Sequence, residues 1–131
     1  MKRWFAATVA AAIVVGCASV DTVKDARGQG VKRVFRQSAD TVYAAALTVV
    51  AKRKLEIVEQ NRAAGRLVLS NGASWSSLGE HIAVFVSPTK DRVTSVEIVS
   101  KPVLSATFPP DWPALLFGDI EQELAALKTP R

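Results

Sequence analysis

The spacing of apolar residues divides most of the chain into short strands and two helices. The stretch VKRVFRQS at residues 31–38 alternates side chains in a way that predicts a β-strand. Ser38 then offers a helix N-cap, and Asp40 suits a first helical turn because its charge complements the helix dipole. Five apolar residues follow at helical spacing and predict one buried stripe: Val42, Tyr43, Ala46, Val49 and Val50.

Two hairpins are predicted after this helix. The segments LEIVEQ and RLVLS flank NRAAG, whose Gly65 can adopt the positive φ that a hairpin loop often requires. The segments EHIAVFVSP and RVTSVEIVS flank a second turn, which Pro88 can start. Each hairpin supplies two antiparallel strands.

A second helix is predicted near the end of the chain. The stretch FPPDWP makes a stiff connection, after which Asp111 can cap a helix. Trp112 is interpreted as a packing residue, because its position resembles a hydrophobic staple at a helix start. The apolar stripe of this helix is predicted to comprise Leu116, Ile120, Leu124 and Leu127.

The element order β-α-β-β-β-β-α predicts the fold class. Each helix has one apolar stripe and the strands alternate, so residues 31–128 are expected to form a single α+β domain. In this domain an antiparallel sheet carries two helices packed on one face. The other face is expected to be solvated or used for contact.

The first thirty residues have a different character. Two cations precede an apolar run from Trp4 to Val15, which is shorter than the roughly 17–25 residues of a membrane-spanning helix. Residues 1–16 are therefore predicted to be a removed signal peptide. Residues 17–30 contain charges and glycines without sustained periodicity, and are predicted to form a flexible tether; the alternative is a first helical turn from Val20 to Ala26.

The sequence VVGC resembles the lipobox of bacterial lipoproteins, in which branched aliphatic residues and a small residue precede a cysteine. This resemblance implies cleavage after Gly16, a diacylglyceryl thioether on the Cys17 sulfur, and an acylated amine. Ala18 and Ser19 follow in place of the aspartate that favours inner-membrane retention, which implies attachment to the periplasmic face of the outer membrane. The alternative for Cys17 is an ordinary buried cysteine at the end of a signal anchor.

The element order and the signal are together similar to the helix-grip-like domains of small envelope lipoproteins. One such domain type occurs in the lipoprotein C component of the outer-membrane β-barrel assembly machinery. The resemblance implies a periplasmic domain that works at the outer membrane, and it names no ligand.

Composition argues against several classes of function. Lys and Arg number 17 against 12 Asp and Glu, and the bases are scattered without interleaved aromatics, so no nucleic-acid partner is predicted. One His and one Cys predict no metal site, and no cofactor motif is present. His81 with a nearby serine (Ser74, Ser76 or Ser77) is the one hydrolase arrangement considered, but no nucleophile motif frames it. The chain is predicted not to be an enzyme.

Binding to another molecule is the remaining class of function, and Trp75 is the candidate contact residue. It lies in SNGASWSSLG, a loop of small polar residues, and tryptophan is enriched at binding hot spots. The alternative is that its ring folds back onto the core. We therefore expect a structural or adaptor lipoprotein with an envelope protein partner. The alternative is a carrier or sensor that holds a small apolar ligand between the sheet and the helices.

Overall fold

The computed structural model describes residues 20–72, 79–104 and 108–128. Its core is a five-stranded antiparallel sheet with strand order β1-β5-β4-β3-β2. The elements are α1 (Val20–Lys24), β1 (Val31–Phe35), α2 (Ala39–Lys52), β2 (Glu56–Asn61), β3 (Arg66–Asn71), β4 (Glu80–Pro88), β5 (Thr94–Pro102) and α3 (Trp112–Lys128). The predicted α+β fold and its order from β1 to α3 are confirmed, and the short helix α1 precedes them.

Both long helices begin at the predicted caps. The Ser38 hydroxyl accepts a hydrogen bond from the Thr41 backbone N–H at 3.3 Å, which satisfies one of the free donors at the start of α2. The Asp111 carboxylate accepts from the Ala114 N–H at 3.2 Å in the same way at the start of α3. Local sequence therefore determines where these helices start.

The first hairpin requires a glycine at its turn. Gly65 has a φ of +64°, and an added Cβ would lie 2.0 Å from the Val86 carbonyl oxygen. The Gly65 carbonyl also accepts from the Val86 N–H at 2.7 Å, which ties this turn to β4. Any side chain here would both strain the backbone and push β3 away from β4.

The helices α2 and α3 cover one face of the sheet, which we call the helix face. The buried residues on this side form one continuous cluster, which includes Phe35, Leu67, Leu69, Ile82, Val84, Val96, Ile98 and the helix residues Tyr43, Leu116 and Phe117. Trp112 is buried, as the packing interpretation predicted, but Leu127 is 63% exposed. The apolar stripe of α3 therefore stops at Leu124, one residue short of the prediction.

The opposite face of the sheet is covered too. Residues 20–30, which we call the strap, cross this face before the chain enters β1, and we call the covered side the strap face. Val23 and Ala26 of the strap are fully buried in a second apolar cluster with Val68, Ala83, Phe85 and Val99. The sheet is thus the middle layer of three.

Candidate docking surfaces

The strap is attached to the sheet by a buried carboxylate. Glu97 of β5 is 4% exposed, and its two carboxylate oxygens accept the Gly28 N–H at 2.8 Å each. One of them also accepts the Gly30 N–H at 3.0 Å. Hydrogen bonds to a charged acceptor are stronger than neutral ones, so these bonds offset the cost of burying Glu97.

The backbone of the strap also lies close to that of β5 at Gly30. An added Cβ on Gly30 would lie 2.3 Å from the Ile98 carbonyl oxygen, so only glycine allows the strap to lie this close to β5. Farther along β5, the Lys101 ammonium donates to the Gln29 side-chain oxygen at 2.9 Å. The end of the strap is therefore positioned by both backbone and side-chain contacts.

Ion pairs and a cation–π contact hold the other parts of the strap. The Lys24 ammonium lies 2.8 Å from the carboxylate of Glu59 on β2, which Arg66 of β3 also contacts at 2.6 Å. The hydrogen bonds from Lys24 and then from Arg66 lower the pKa of Glu59. The Arg27 guanidinium lies 4.5 Å from the centre of the Phe85 ring and donates to the Ser87 hydroxyl at 3.0 Å.

These contacts change the expectation for the N-terminal region. The predicted tether comprised residues 17–30, but residues 20–30 are packed against the sheet and include the helical turn weighed as the alternative. Residues 17–19 lie outside the described residues, so a tether there stays a prediction. The second sheet face, expected to be solvated or used for contact, is largely occupied by the chain itself.

The two edge strands retain exposed apolar side chains. On β1, Val31 is 49% and Val34 is 65% exposed, while on β2 Ile57 and Val58 are each 42% exposed. The two edges differ in regularity. β1 pairs with β5 in unbroken register over its length, whereas the register of β2 shifts between Ile57 and Glu59. A β-bulge of this kind opposes the addition of another strand.

The space between the helices and the sheet is filled by side chains. Val42, Val49, Ile120 and Leu124, which would line a carrier cavity there, are each at most 3% exposed and belong to one apolar cluster. A cleft of about 430 Å³ does lie between α2 and α3 at the surface. The ion pairs Arg53–Asp119 and Lys52–Glu123 border it at 2.5 and 2.9 Å, so four of its seven lining residues are charged.

His81, the base of the hydrolase arrangement considered from the sequence, lies near the start of β4. His81 follows the buried Glu80 in β4 and pairs across the sheet with Ser70 and Lys101. Its Nδ1 atom is buried and has no hydrogen-bond partner among the described residues. The serines considered as its partners, at positions 74, 76 and 77, lie outside those residues. In this part of the chain His81 Nδ1 thus makes no hydrogen bond to a serine, including Ser70 directly opposite.

The two residues chosen for lipidation and for partner contact, Cys17 and Trp75, also lie outside the described residues. Their assignments stay predictions. Within residues 20–72, 79–104 and 108–128, no group of three or more His, Cys, Asp or Glu side chains could hold a metal ion. None of the helices in this part of the chain is long and apolar enough to cross a membrane.

Comparison with known proteins adds no assignment. No protein-family model matches this chain, and no curated protein matches it.

Sequence reasoning missed the strap and the role of Glu97, although one signal was present. The β4 sequence IAVFV is continuously apolar, and all of these residues are buried. Continuous apolar runs are typical of strands covered on both faces, so β4 indicated a second cover. The position of Glu97 gave no such signal, because its partners Gly28 and Gly30 are 69 and 67 residues away in sequence.

Proposed function

We propose that this protein is a lipid-anchored adaptor of the bacterial envelope. In this proposal Cys17 carries the lipid on the periplasmic face of the outer membrane, and the folded domain binds a protein partner through the open edge of β1. The observation that carries the proposal is this edge: a regular edge strand with Val31 49% and Val34 65% exposed. Such a strand can pair with an extended segment of another protein.

The charges around β1 indicate what kind of segment fits. Lys32 and Arg36 are exposed and form no ion pair among the described residues, while Arg33 pairs with Glu121 at 2.7 Å. An extended partner segment that carries carboxylates would meet these cations along the edge. Complementary charge improves the selection of a partner more than it improves affinity.

The filled core supports an adaptor over a carrier. A carrier of an apolar ligand needs a cavity lined mainly by apolar side chains. The apolar residues between sheet and helices instead pack on one another, and the cleft between α2 and α3 is bordered by ion pairs. These observations favour a function carried out at the surface of the domain.

Crosslinking in intact envelopes tests the use of the β1 edge. A photo-reactive amino acid placed at Val31 should capture a partner, whereas the same group at Leu127, which is 63% exposed on α3, should not. The exchange Val31→Lys should reduce capture by a reporter placed elsewhere on β1, because a lysine on an edge strand opposes strand addition. Capture from Leu127 but not from Val31 would show that the partner binds elsewhere.

Two further variants test the anchor and Trp75. In Cys17→Ala, incorporation of labelled palmitate should be lost and the signal peptide should remain attached; equal labelling of the variant would refute the anchor.

Trp75→Ala should reduce partner capture with little loss of stability if the ring is a contact residue. If the ring instead covers the core, the exchange should destabilise the domain by roughly 3–5 kcal/mol.

A further inference from the structure

We infer that a cleft between the β4–β5 turn and the chain that joins β1 to α2 is a binding site for a small organic anion. Arg36 and Arg92 hold the oxyanion of this ligand, a carboxylate or a phosphate group, and the apolar part of the ligand packs on the apolar lining of the cleft. The inference depends neither on the lipidation of Cys17 nor on a partner at the β1 edge, so it goes beyond the proposed function.

The cleft lies at the end of the sheet where β1 and β4 end and β5 begins. Its volume is about 430 Å³, which falls within the range of roughly 300–1,000 Å³ that is usual for small-molecule sites. One wall comes from residues 36–39 and the other from residues 88–94. It shares no lining residue with the cleft between α2 and α3, so the two are separate sites.

Each wall carries one arginine that has no partner. Arg36 and Arg92 are both exposed, and neither forms an ion pair or a hydrogen bond with the described residues. A guanidinium is always charged and presents several N–H donors in a plane, which match the oxygens of a carboxylate or a phosphate. The two side chains are therefore available to bind one anion from two sides.

Acidic residues do not neutralise this pair of arginines. Among the described residues, no Asp or Glu lines the cleft. Asp40 follows one wall, but its carboxylate lies 3.5 Å from Arg62. The charged residues of segments 36–40 and 88–94, counted with Arg62, are four cations and two acids: Arg36, Arg62, Lys90 and Arg92 against Asp40 and Asp91. An excess of positive charge therefore remains around the cleft.

The cleft also has an apolar part. Ala39 and Val93 are half-buried in its lining, and Pro88 lies beside them. Small-molecule sites usually combine apolar side chains with a few polar groups that fix the orientation of the ligand. An anion with a short apolar chain therefore fits this cleft better than a bare inorganic ion.

Hydrogen bonds within the chain hold both walls in place. The Thr94 hydroxyl donates to the Gln37 carbonyl oxygen at 2.7 Å, which ties the first wall to β5. The Thr89 hydroxyl donates to the Val93 carbonyl oxygen at 2.8 Å and closes the turn of the second wall. These hydroxyls already have acceptors, so the two guanidinium groups are the donors that a ligand would meet.

The backbone of the turn gives an independent argument for the Arg92 side chain. Asp91 and Arg92 have φ values of +67° and +60°, in the left-handed region that favours glycine and asparagine. An arginine in this conformation strains the backbone, and no contact of its side chain with the described residues compensates for the strain. Strained positions of this kind cluster at functional sites, so we assign Arg92 to binding and not to stability.

NMR titration of the ¹⁵N-labelled full chain in a nonionic detergent tests the site. The probes are hexanoate and butyl phosphate, with hexanamide as the uncharged control and inorganic phosphate as the control without an apolar part. At least one probe should shift the Nε–H signals of Arg36 and Arg92 to saturation, and the probe that binds more tightly identifies the oxyanion. Hexanamide and inorganic phosphate should each bind at least about fivefold more weakly.

The exchange Arg92→Gly separates binding from stability. It should weaken binding of the tighter probe by about fivefold or more, because one guanidinium is lost. The midpoint of denaturant unfolding should stay the same or rise, because glycine adopts a positive φ without strain. Lys54→Gly is the matched control, since Lys54 is an exposed cation with a φ of +55° that lies outside the cleft. It should affect the midpoint in the same way and leave binding unchanged.

Arg36→Gln tests the other wall without changing a strained position, and it should also weaken binding. It decides the matter if Arg92→Gly does not fold, because unchanged binding in Arg36→Gln overturns the site. The site is also overturned if neither probe shifts the two arginine signals further than that of the exposed Arg27. Hexanamide that binds as tightly as hexanoate, or equal loss of binding in Lys54→Gly and Arg92→Gly, overturns the role of the arginines. None of these results depends on the lipid or on the β1 edge.

Discussion

The two faces of the sheet are both covered, but by different kinds of structure. Over the helix face lie α2 and α3, with 14 and 17 residues and long apolar stripes. Over the strap face lies a segment with a five-residue helix and, among the side chains that the structure describes, two fully buried apolar ones, Val23 and Ala26. The helix face is held by apolar burial, whereas the strap is also held by hydrogen bonds to Glu97 and by the Lys24–Glu59 ion pair. A short segment can cover a sheet only if polar contacts add to its small apolar area.

The largest difference is expected from truncating a buried aromatic on the helix face. Phe117 is fully buried and stacks on Phe35 with ring centres 6.3 Å apart, so Phe117→Ala should lower the free energy of unfolding by roughly 3–5 kcal/mol. Denaturant melts measure the loss. Leu127→Ala, on the exposed side of α3, is the control and should change stability by less than about 0.5 kcal/mol. Similar losses for the two variants would contradict the packing of α3.

A smaller loss is expected on the strap face. Val23 is 0% exposed, and Val23→Ala removes two buried methyl groups, which should cost about 2 kcal/mol including the cavity. Val34→Ala serves as the control because Val34 is 65% exposed. Hydrogen exchange of the residues 20–30 should accelerate in the Val23 variant. If Val23→Ala behaves like Val34→Ala, the strap does not contribute to the stability of the domain.

Removal of the buried Glu97 charge should lower the free energy of unfolding by as much as Val23→Ala does, or by less. Glu97→Gln keeps one oxygen acceptor but loses the charge that receives the Gly28 and Gly30 N–H groups, so a loss of about 1–2 kcal/mol is expected. Exchange of these two amide protons, followed by NMR, reports the effect directly. The exposed Glu56→Gln is the control. Unchanged protection at Gly28 and Gly30 would mean that the carboxylate does not hold the strap.

The smallest effect is a pH dependence at the other end of the strap. Lys24 and Arg66 lower the pKa of Glu59, so the ionised carboxylate stabilises the folded state at pH values above its unfolded pKa of about 4.3. This contribution is lost as the pH falls below that value and through the lower folded-state pKa. Hydrogen exchange of α1 between neutral and acidic pH measures it, and Glu59→Gln should flatten the profile. A profile in the variant that matches the native protein would assign the dependence to another group.

The elements of the helix face could be predicted because their signals are local. The Ser38 cap, the Gly65 turn and the α3 stripe up to Leu124 each depend on residues a few positions apart. The prediction that Leu127 is buried was wrong, because periodicity gives the angle of a residue around a helix. It does not tell whether the sheet extends far enough to cover that residue. The β1 edge became a candidate site only when the strand order placed β1 next to β5 alone.

The strap could not be predicted for the opposite reason. Val23 and Ala26 are too few to produce a periodic pattern, and the residues that hold the strap belong to strands much later in the chain. A charged residue such as Glu97 in a strand is ordinarily read as solvent-exposed. Glu97 can be buried because the backbone N–H groups of Gly28 and Gly30 donate to its carboxylate. Residue propensities do not predict that these distant groups lie next to it.

The separation of 69 residues between Gly28 and Glu97 also sets an order of events during folding. The strap is synthesised before the strands that it covers, and its binding surface is complete only after β3, β4 and β5 have been made and paired. Contacts between residues so far apart form late, because the loop between them must close first. The strap therefore stays free of the sheet until these three strands have paired, and its docking is a late step of folding.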